Sequence, residues 1–430
     1  MKISGWGGYP VKDAEVRIPR SSREVGLRLD RTAIARGAGR SYGDSAVADT
    51  VLQTDYLDHF VAFDEATGIL TVQAGVTIRE ILRLFVPRGW FVPVTPGTSY
   101  VTVAGAVASD VHGKNHHVAG TFGDHVLGLK IMLGSGDVVS TSRTELPDLF
   151  HATCGGMGLT GVILEVALAL IPIRSSLIEQ QTLKAGTLDQ SCEQFSQNAE
   201  STYSVAWIDC VTSGSSMGRS VLMLGEHAQT GGLDFKFKNP PSMPFHLPAS
   251  LLSRRTVGAF NQLYYSRAKH QQERRVSLVP YFYPLDAIGR WNRLYGKRGF
   301  VQYQFVIPKE DGLANLRRIM ARIVASGSGS FLAVLKQFGA QNDNLLSFPM
   351  EGYTLALDFK VSTSTFELLS NLDVLVADMG GRVYLAKDAV MLEQTFKRMY
   401  KRWEEFESIR EKYGAIGRFA SSQSKRLGLA

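Results

Sequence analysis

Short runs of alternating apolar and polar residues, separated by glycine-containing turns, fill the chain up to residue 172. This pattern is typical of strands joined by tight turns, and it predicts two β-hairpins. Their strands are residues 60–63 with 69–73 and residues 129–133 with 138–140. Apolar residues at helical spacing predict a helix over 77–86, and a continuous apolar run predicts a buried strand over 162–168.

After residue 172 glycine becomes sparser, and longer strand and helix signals alternate. The pattern predicts strands over 300–307, 331–338, 353–361 and 382–385, and helices over 312–325, 366–378 and the charged stretch 391–413. We therefore expect an α+β fold with a first domain over 1–172 and a second domain over 173–385, in which helices cover an antiparallel sheet. The remaining segment, 386–430, is expected to pack back on the first domain.

The segment 231–275 has a composition unlike the rest of the second half. It contains four prolines, the apolar run 247–252 and eight lysines or arginines, against the two carboxylates of Asp234 and Glu273. One interpretation is a flexible surface loop. The other is a mobile basic and apolar lid that contacts a lipid surface or a phosphorylated lipid.

Composition adds limits on the compartment and the partner. The net charge of +7, from 47 basic and 40 acidic residues, suggests either an anionic partner or simply a basic surface. Three widely spaced cysteines favour a reducing compartment with neither a disulfide framework nor a metal site. We see no signal peptide and no membrane span, so a cytoplasmic location is expected, with peripheral membrane contact left open. Nucleic-acid binding is not expected, because no recognition motif accompanies the basic residues.

Three glycine-bearing segments are candidates for anion binding. Residues 156–161 match G-x-G-x-x-G, but a predicted helix precedes them and a strand follows, which is the reverse of a dinucleotide-binding turn and excludes that interpretation. Residues 35–44 offer consecutive backbone N–H groups that form either a nest for an anion such as pyrophosphate or an ordinary turn. Residues 96–106 read as a loop that enters a helix, another common anion site.

These segments also carry a family resemblance. The motifs R-G-A-G-R-S-Y-G-D (36–44), P-G-T-S-Y-V-T-V-A-G-A (96–106), H-G-K-N-H-H (112–117) and G-G-M-G-L-T-G (155–161) resemble the PCMH-type FAD-binding domain of the vanillyl-alcohol-oxidase superfamily. In the second half, Y-P-L-D (283–286), Q-Y-Q-F (302–305) and G-R-V-Y-L-A-K-D (381–388) resemble the decaprenylphosphoryl-β-D-ribose 2-oxidase family. The resemblance extends from about residue 6 to residue 429.

The resemblance implies an FAD-dependent oxidoreductase that converts the 2-hydroxyl of a polyprenylphosphoryl-β-D-ribose to a ketone, with hydride transfer to N5 of the flavin. This would be the first half of an epimerisation to the arabinose form, which a separate NAD(P)H-dependent short-chain reductase would complete. The alternative is an FAD-dependent oxidase or dehydrogenase for another sugar, an alditol or a natural-product glycoside.

The resemblance also implies which residues contact the FAD. They are Ala35, Arg36, Gly37, Ala38, Gly39, Arg40, Ser41, Tyr42, Gly43, Asp44, Ser45, Gly97, Thr102, Val103, Ala104, Gly105, Ser109, Asp110, Val111, His112, Ile163 and Tyr384. Arg40 stands where relatives with a covalently attached flavin carry histidine, so noncovalent FAD is expected.

Catalytic roles are expected for Lys387, His112 and Gln304. A cation at Lys387, after a predicted strand, would bind the reacting oxygen and favour its alkoxide character, although a lone lysine is also an ordinary surface charge. His112 is expected to act as a base or to position the flavin. The residues expected to bind substrate are Gln302, Gln304, Lys336, Lys387 and Trp207.

Three positions at two sites depart from the mycobacterial members of the family. Ala356 stands where those members carry a cysteine, and Phe282 with Tyr283 replaces a Tyr-His pair. These changes leave the cofactor chemistry in place and leave the identity of the polyprenyl substrate open.

Overall fold

The computed structural model describes residues 1–238, 240–248, 253–328, 330 and 332–429. Every residue up to 172 is described, and this part contains five α-helices: α1 (Ser22–Leu27), α2 (Ile78–Phe85), α3 (Val103–Ala108), α4 (His116–Ala119) and α5 (Pro147–Thr153). The strands of this part are β1 (Lys2–Ser4), β2 (Val11–Asp13), β3 (Glu15–Arg17), β4 (Ile34–Arg36), β5 (Thr50–Gln53), β6 (Phe60–Asp64), β7 (Ile69–Gln73), β8 (Trp90–Phe91), β9 (Val126–Met132), β10 (Val138–Thr141), β11 (Val162–Ala169) and β12 (Ile171–Pro172).

The first part of the chain is built on two main sheets. A parallel sheet has the strand order β3-β5-β4, and an antiparallel sheet has the order β10-β9-β11-β7-β6. Both predicted hairpins, β6 with β7 and β9 with β10, are confirmed. Helix α2 is also confirmed. It begins after Thr77, which forms a capping box with Glu80, and it buries the apolar face that the sequence pattern indicates.

The second part contains one eight-stranded sheet. Its strands are β13 (Leu177–Ala185), β14 (Tyr203–Ile208), β15 (Ser220–His227), β16 (Gln272–Ser277), β17 (Phe300–Pro308), β18 (Ala333–Phe338), β19 (Gly352–Lys360) and β20 (Arg382–Val383). Neighbours in the order β16-β13-β15-β14-β18-β19-β17-β20 pair antiparallel. The helices of this part are α6 (Leu188–Gln197), α7 (Arg254–Arg267), α8 (Leu278–Phe282), α9 (Gly312–Ser326) and α10 (Thr363–Asp378).

Helices α9 and α10 lie on one face of this sheet. Tyr303 points to that face and donates a hydrogen bond from its hydroxyl to the buried carboxylate of Asp373 on α10, at 2.9 Å. Residues next to Tyr303 in β17 must point to the opposite face, because side chains alternate along a strand. The mixture of helices with antiparallel sheet is an α+β fold, as expected.

Most predicted strands and helices of the second part are confirmed, with two differences at strand ends. Strand β20 ends at Val383, whereas the sequence predicts a strand to 385, and residues 385–387 form a turn instead. The strand predicted from residue 331 begins at Ala333 in the structure, and residue 331 itself lies outside the described residues.

The expectation of a loop throughout 231–275 is wrong for its second half. Residues 254–267 form helix α7, and residues 272–277 form strand β16, which pairs with β13. Ser253 and Thr256 form a capping box at the start of α7, and the helix buries Val257 and Asn261. Residues 249–252, the last four of the predicted apolar run, lie outside the described residues. Residue 239 lies outside them too.

The last part of the chain contacts the first. It forms the helices α11 (Glu393–Met399), α12 (Trp403–Lys412) and α13 (Ser422–Arg426), so the predicted helical stretch 391–413 is two helices. The fully buried guanidinium of Arg410 donates to the carbonyl oxygens of Leu159 at 3.1 Å and Phe419 at 3.0 Å. In the ranges that the structure describes, no helix is long and apolar enough to cross a membrane.

Candidate functional site

A deep cleft separates the glycine loops of the first part from the eight-stranded sheet. It encloses about 1550 Å³ of empty space, including its open mouth. One wall, which we call the glycine wall, consists of lining residues between 35 and 54, between 96 and 112, and between 157 and 163. The opposite wall, the sheet wall, consists of lining residues from β17, β18 and β19 and from the turn after β20.

Most of the residues predicted from the sequence line this cleft. Those expected at the cofactor are Ala35, Gly37, Ala38, Gly39, Arg40, Ser41, Tyr42, Ser45, Gly97, Thr102, Ala104, Gly105, Ser109, Val111, His112, Ile163 and Tyr384. Those expected at the substrate are Gln302, Gln304, Lys336 and Lys387.

Three residues of the 35–45 loop do not line the cleft, contrary to expectation. Arg36 turns its guanidinium to the carbonyl oxygens of Ser4 at 2.8 Å and Ala46 at 3.0 Å. Asp44 forms an ion pair with Arg426 at 2.6 Å. Gly43 faces the carbonyl oxygen of Asp388, which would lie 1.7 Å from an added Cβ. These residues fix the loop in place while their neighbours face the cleft.

Three other predicted residues also lie outside the lining. Val103 is buried in the core of the first part. Asp110, whose φ of 39° lies in the left-handed region, accepts hydrogen bonds from the Gly123 N–H and the Ser347 hydroxyl. The ring centre of Trp207 lies 4.7 Å from that of Tyr264 on α7, with the two ring planes tilted by 50°. Trp207 pairs with Val334 in the sheet and so shares the cleft face, one strand beyond the lining.

Thirteen lining residues are absent from the predicted cofactor and substrate contacts. They are Ala46, Thr54, Pro96, Thr98, Val101, Ala108, Met157, Gly158, Gly161, Leu285, Val334, Ala356 and Ala386. Residues 157–161 belong to the segment rejected as a dinucleotide turn, and that rejection is correct, since α5 precedes it and β11 follows. The family motif over 155–161 was the signal that could have placed these residues at the cofactor.

The glycine wall offers close backbone approach and an unsatisfied donor. An added Cβ on Gly37 would lie 2.1 Å from Thr102 Oγ1, so only glycine fits there, whereas a Cβ on Gly97 would meet no atom within 4 Å. The Nε of Arg40 is buried without a hydrogen-bond partner among the described residues. Its guanidinium lies 4.1 Å from the ring centre of Trp6, which holds it at the cleft.

The sheet wall presents polar side chains on a single face. Gln302 lies opposite Asp358 and Gln304 opposite Ala356 in the pairing of β17 with β19. Lys336 of β18 lies opposite Thr354 of β19. Because directly opposed residues of paired strands share a face, all of these side chains lie on the face turned away from α9 and α10.

His112 connects the two walls. Its Nε2 lies 2.9 Å from Gln304 Nε2, and its Nδ1 lies 3.2 Å from Lys336 Nζ. Burial lowers the pKa of His112 well below its usual range, and the charge of Lys336 adds to this effect. The imidazole is therefore neutral at pH 7, and both of its nitrogens are in contact with side chains of the sheet.

Lys387 lies in the turn that follows β20. The amide N–H of Lys387 donates to the carbonyl oxygen of Tyr384 at 2.9 Å, and the N–H of Tyr42 donates to the carbonyl oxygen of Ala386 at 3.0 Å. The first bond closes the turn, and the second attaches it to the glycine wall. The ammonium lies 3.9 Å from the centre of the Tyr42 ring. The end of the strand at Val383 allows the turn to direct Lys387 into the cleft.

Two cations at the sheet wall are poised to lose their protons near neutral pH. Burial lowers the pKa of Lys336 to about 7. Burial also lowers the pKa of Lys387 to about 7, although the nearby Asp358 opposes the change. Displaced pKa values of this kind are frequent at catalytic sites. No group of three or more His, Cys, Asp or Glu suited to a metal ion occurs among the described residues.

Comparison with known proteins agrees with this arrangement. A family model described as an FAD binding domain matches residues 27–142, which contain the first two segments of the glycine wall. The protein is an FAD-dependent oxidoreductase. It is 36% identical over 450 aligned positions to the decaprenylphosphoryl-β-D-ribose oxidase of Mycolicibacterium smegmatis, across 100% of this chain and 97% of the relative. The chain belongs to the decaprenylphosphoryl-β-D-ribose oxidase family.

Two further relatives show the breadth of the similarity. An uncharacterized protein from Streptomyces coelicolor is 32% identical over 374 positions, which cover 82% of this chain and all of the relative. An L-gulono-1,4-lactone dehydrogenase from Mycobacterium tuberculosis is 21% identical over 413 positions, which cover 91% of this chain and 89% of the relative.

The residues of the glycine wall fit FAD. The empty space around Gly97 and the unpaired Nε of Arg40 suit a ligand with phosphate groups that lies against the backbone. Arg40 has no nucleophilic atom for a covalent bond to the flavin, so it can contribute charge and a hydrogen bond.

Proposed function

We propose that this protein oxidises the 2-hydroxyl of a polyprenylphosphoryl-β-D-ribose to the 2-keto sugar. The observation that carries the proposal is the sheet wall, which presents two amides and two partly buried lysines across the cleft from the glycine wall. Full-length similarity to an oxidase named for this class of substrate supports it. The product would require a separate reductase that uses NAD(P)H to complete the epimerisation.

The reaction divides between the cofactor and the protein. When bound, FAD supplies the acceptor for the hydride that leaves the reacting carbon. Lys387 binds the oxygen on that carbon, and its ammonium stabilises the negative charge that develops as the hydride departs. Gln302 and Gln304 orient the sugar by hydrogen bonds. Lys336 is close enough to the same face to contact the sugar or its phosphate.

His112 is a positioning residue in this scheme. A neutral imidazole with neighbours at both nitrogens has no free site for the substrate proton. Its contacts instead orient the Gln304 amide and the Lys336 side chain toward the cleft. The sequence leaves open whether His112 acts as a base or as a positioning residue, and we propose the positioning role.

We propose that the two parts of the chain are two domains, with a boundary near residue 172, and that 386–430 completes the first domain. Buried Arg410 supports the last point, since its hydrogen bonds join α12 to the 155–161 turn. Trp207 acts with Tyr264 as a support for the far end of the substrate site.

We propose that the surface around α7 contacts an anionic membrane. Phe260 is 46% exposed and Leu263 is 48% exposed on this helix. Arg254 and Arg255 at its start are exposed as well. Apolar side chains beside cations suit a surface that rests on anionic lipid, and a lipid-linked sugar would reach the cleft from there.

A substrate panel tests the proposed function. Purified FAD-loaded protein is incubated with farnesylphosphoryl ribose, free alditols or L-gulono-1,4-lactone, and the products are identified by mass spectrometry. We expect a loss of two hydrogens from the ribose of the lipid-linked substrate. Faster turnover of an alditol or the lactone would overturn the proposal.

A further inference from the structure

A side pocket opens from the cleft beside Arg40. It encloses about 840 Å³ of empty space, including its mouth. Arg40, Tyr42, Thr98 and Leu285 line both spaces, so the cleft continues into the side pocket. The outer part of the side pocket is lined mainly by Trp6, Tyr100, Asp286, Ile288, Arg290 and Trp291. The reaction proposed above leaves this outer part without a role.

The outer part of the side pocket is largely apolar. The rings of Trp6 and Trp291 lie 6.2 Å apart, measured between their centres. Ile288, which lines the same space, is 43% exposed to solvent. A concave surface that leaves an aliphatic side chain in water beside two indole rings gains free energy when hydrocarbon covers it. The outer part therefore suits an apolar chain.

The inner end of the side pocket carries an unpaired cation. The guanidinium of Arg40 lies 4.1 Å from the ring centre of Trp6, and it donates no hydrogen bond to any residue in the described ranges. The carboxylate of Asp286 is occupied by hydrogen bonds from the Thr98 hydroxyl at 2.6 Å and from the Ser99 N–H and hydroxyl at 2.8 Å and 2.6 Å. Because a guanidinium has five N–H donors, Arg40 can serve the cofactor and a second anion.

The proposed substrate presents its groups in the order in which these spaces lie. Its ribose is joined to a phosphate, and the phosphate is joined to a chain of isoprene units. Lys387, which is proposed to bind the reacting oxygen, lies 3.9 Å from the ring centre of Tyr42. Tyr42 lines both the cleft and the side pocket. A ribose bound at Lys387 therefore has the Arg40 cation next to it, and the apolar outer part lies beyond.

The mouth of the side pocket borders the chain segment that leads to α7. The N–H of Met243 donates to the carbonyl oxygen of Gly289 at 2.8 Å, and the N–H of Gly289 donates to the carbonyl oxygen of Pro241 at 2.9 Å. Helix α7, which carries the proposed membrane surface, follows this segment in the sequence. An isoprenoid chain that leaves the side pocket beside Ile288 would emerge next to this segment.

A second cavity offers cations but no continuity with the cleft. Its lining includes Arg254, Lys297 and Arg298. None of the described residues that line this cavity also lines the cleft. A phosphate joined directly to a ribose in the cleft therefore meets Arg40 and not these cations.

We propose that the side pocket binds the isoprenoid phosphate arm of the substrate. The phosphate lies at Arg40, and the first isoprene units lie against Trp6, Ile288 and Trp291. This inference rests on the proposed function and assigns a place to the part of the substrate that does not react. It makes Ile288 a residue that distinguishes a lipid-linked sugar from a simple sugar phosphate.

Kinetics with two substrates test the inference. Ile288→Asn removes an apolar group from the side pocket and leaves the cleft unchanged. We expect the KM for farnesylphosphoryl ribose to rise about fivefold, because an apolar contact with the chain is lost. The KM for methylphosphoryl ribose, which has the sugar and the phosphate but no isoprene unit, should stay the same. The rate of flavin reduction at saturating substrate should not change for either compound.

Val61→Asn is the matched control. Val61 is also a β-branched apolar residue, it is 50% exposed, and it lies on β6 outside the lining of the cleft and the side pocket. Its KM values should equal those of the wild type for both substrates. An equal rise in KM for both substrates in Ile288→Asn, or no rise for either, would overturn the inference.

Photolabelling locates the chain in the wild-type protein and does not require turnover. A farnesylphosphoryl ribose that carries a diazirine in its first isoprene unit is irradiated with FAD-loaded protein, and the labelled peptides are identified by mass spectrometry. We expect label on Trp6 or on residues 285–291, and we expect farnesyl phosphate, but not inorganic phosphate, to compete with it. Label on Arg254, Lys297 or Arg298, no specific label, or competition by inorganic phosphate would each contradict the inference.

The two experiments separate this inference from the proposed function. If the side pocket is labelled but the lipid-linked ribose does not reduce the flavin, the proposed oxidation fails and the place of the isoprenoid phosphate arm stands. If the flavin is reduced but the label lies elsewhere, the inference fails and the proposed function stands.

Discussion

The two walls of the cleft differ in the chemistry they present. The glycine wall offers backbone groups, small side chains and the permanently charged Arg40. The sheet wall offers lysines that titrate near neutral pH, and behind it lies the buried carboxyl group of Asp358. A cofactor that stays bound through many turnovers is held by fixed dipoles and close contact, whereas a substrate that loses a proton needs groups that can exchange one.

The walls also differ in what they tolerate. On the glycine wall the main constraint is space, as the 2.1 Å approach to Thr102 at Gly37 shows. On the sheet wall Ala356 leaves room, and the constraint is the charge state of Lys336 and Lys387. Substitutions on the first wall should therefore change cofactor affinity, and substitutions on the second should change rate.

Lys387→Ala should give the largest effect on rate. Removal of one preorganised group that stabilises developing charge typically costs roughly 3 to 4 kcal/mol, or about 10²–10³ in rate. We expect the variant to fold, to bind FAD and to show flavin reduction slowed by about this factor in stopped-flow measurements under anaerobic conditions. Lys387→Arg should rescue little, because the guanidinium fork cannot occupy the same position. A rate within about threefold of wild type would conflict with the expected loss.

Gly97→Ala should affect the cofactor and leave the fold unchanged. An added methyl group meets no protein atom within 4 Å and projects into the cleft. We expect an unchanged melting temperature of the FAD-free protein and a loss of about 1–3 kcal/mol in FAD binding, the usual cost of overpacking. Gly37→Ala is the contrast, since its methyl group collides with Thr102 and should destabilise the FAD-free protein too. Equal FAD affinity of Gly97→Ala and wild type would show that this part of the wall does not contact the cofactor.

The rate of flavin reduction should fall as the pH rises above about 7. Burial lowers the pKa of Lys387 to about 7, so its ammonium is present below that pH and is lost above it. If the ammonium is the active form, the rate falls up to about tenfold per pH unit on the alkaline side. Lys387→Arg should lack this alkaline limb, because its guanidinium stays charged. A rate that rises with pH would instead identify neutral Lys387 as the active form.

Substitutions at the proposed membrane surface should give the smallest effect per residue, measured as the loss of vesicle binding. Each exposed arginine near an anionic surface contributes up to about 1 kcal/mol, so Arg254→Gln with Arg255→Gln should measurably weaken flotation with anionic vesicles. Arg318→Gln with Arg322→Gln removes the same charge from α9, on the other face of the sheet, and should have no effect. Equal loss in both pairs would mean that net charge alone governs binding.

FAD should be released when the protein is precipitated by acid. Arg40 cannot form the bond that a histidine makes in relatives with tethered flavin. The yellow colour is expected in the supernatant, and colour that remains in the pellet would show a covalent link elsewhere.

Local signals in the sequence predicted elements in both parts of the chain. The hairpins and α2 follow from alternation and helical spacing, which are local properties. Helix α7 was missed because prolines and charges dominate its surroundings and just two of its side chains, Val257 and Asn261, are buried. The Ser253 and Thr256 capping box was the signal that could have revealed it.

The roles of individual site residues depended on long-range contacts. Asp44 carries an obvious motif, yet its pairing with Arg426, 382 positions away, directs it out of the cleft. Trp207 and Asp358 were placed by strand register, which no local pattern specifies. The motif and the chemistry of a lysine both indicated Lys387 as a site residue, and the structure places it in the lining of the cleft.

Single-turnover reduction with a matched pair of substrates tests the central claim most directly. Farnesylphosphoryl ribose and its 2-deoxy analogue are mixed in separate experiments with FAD-loaded protein under anaerobic conditions, and the flavin absorbance is followed. The ribose should bleach the flavin, and the 2-deoxy analogue should bind without bleaching it, because it lacks the hydroxyl that is oxidised. Bleaching by the 2-deoxy analogue, or by neither compound, would contradict oxidation at the 2-position.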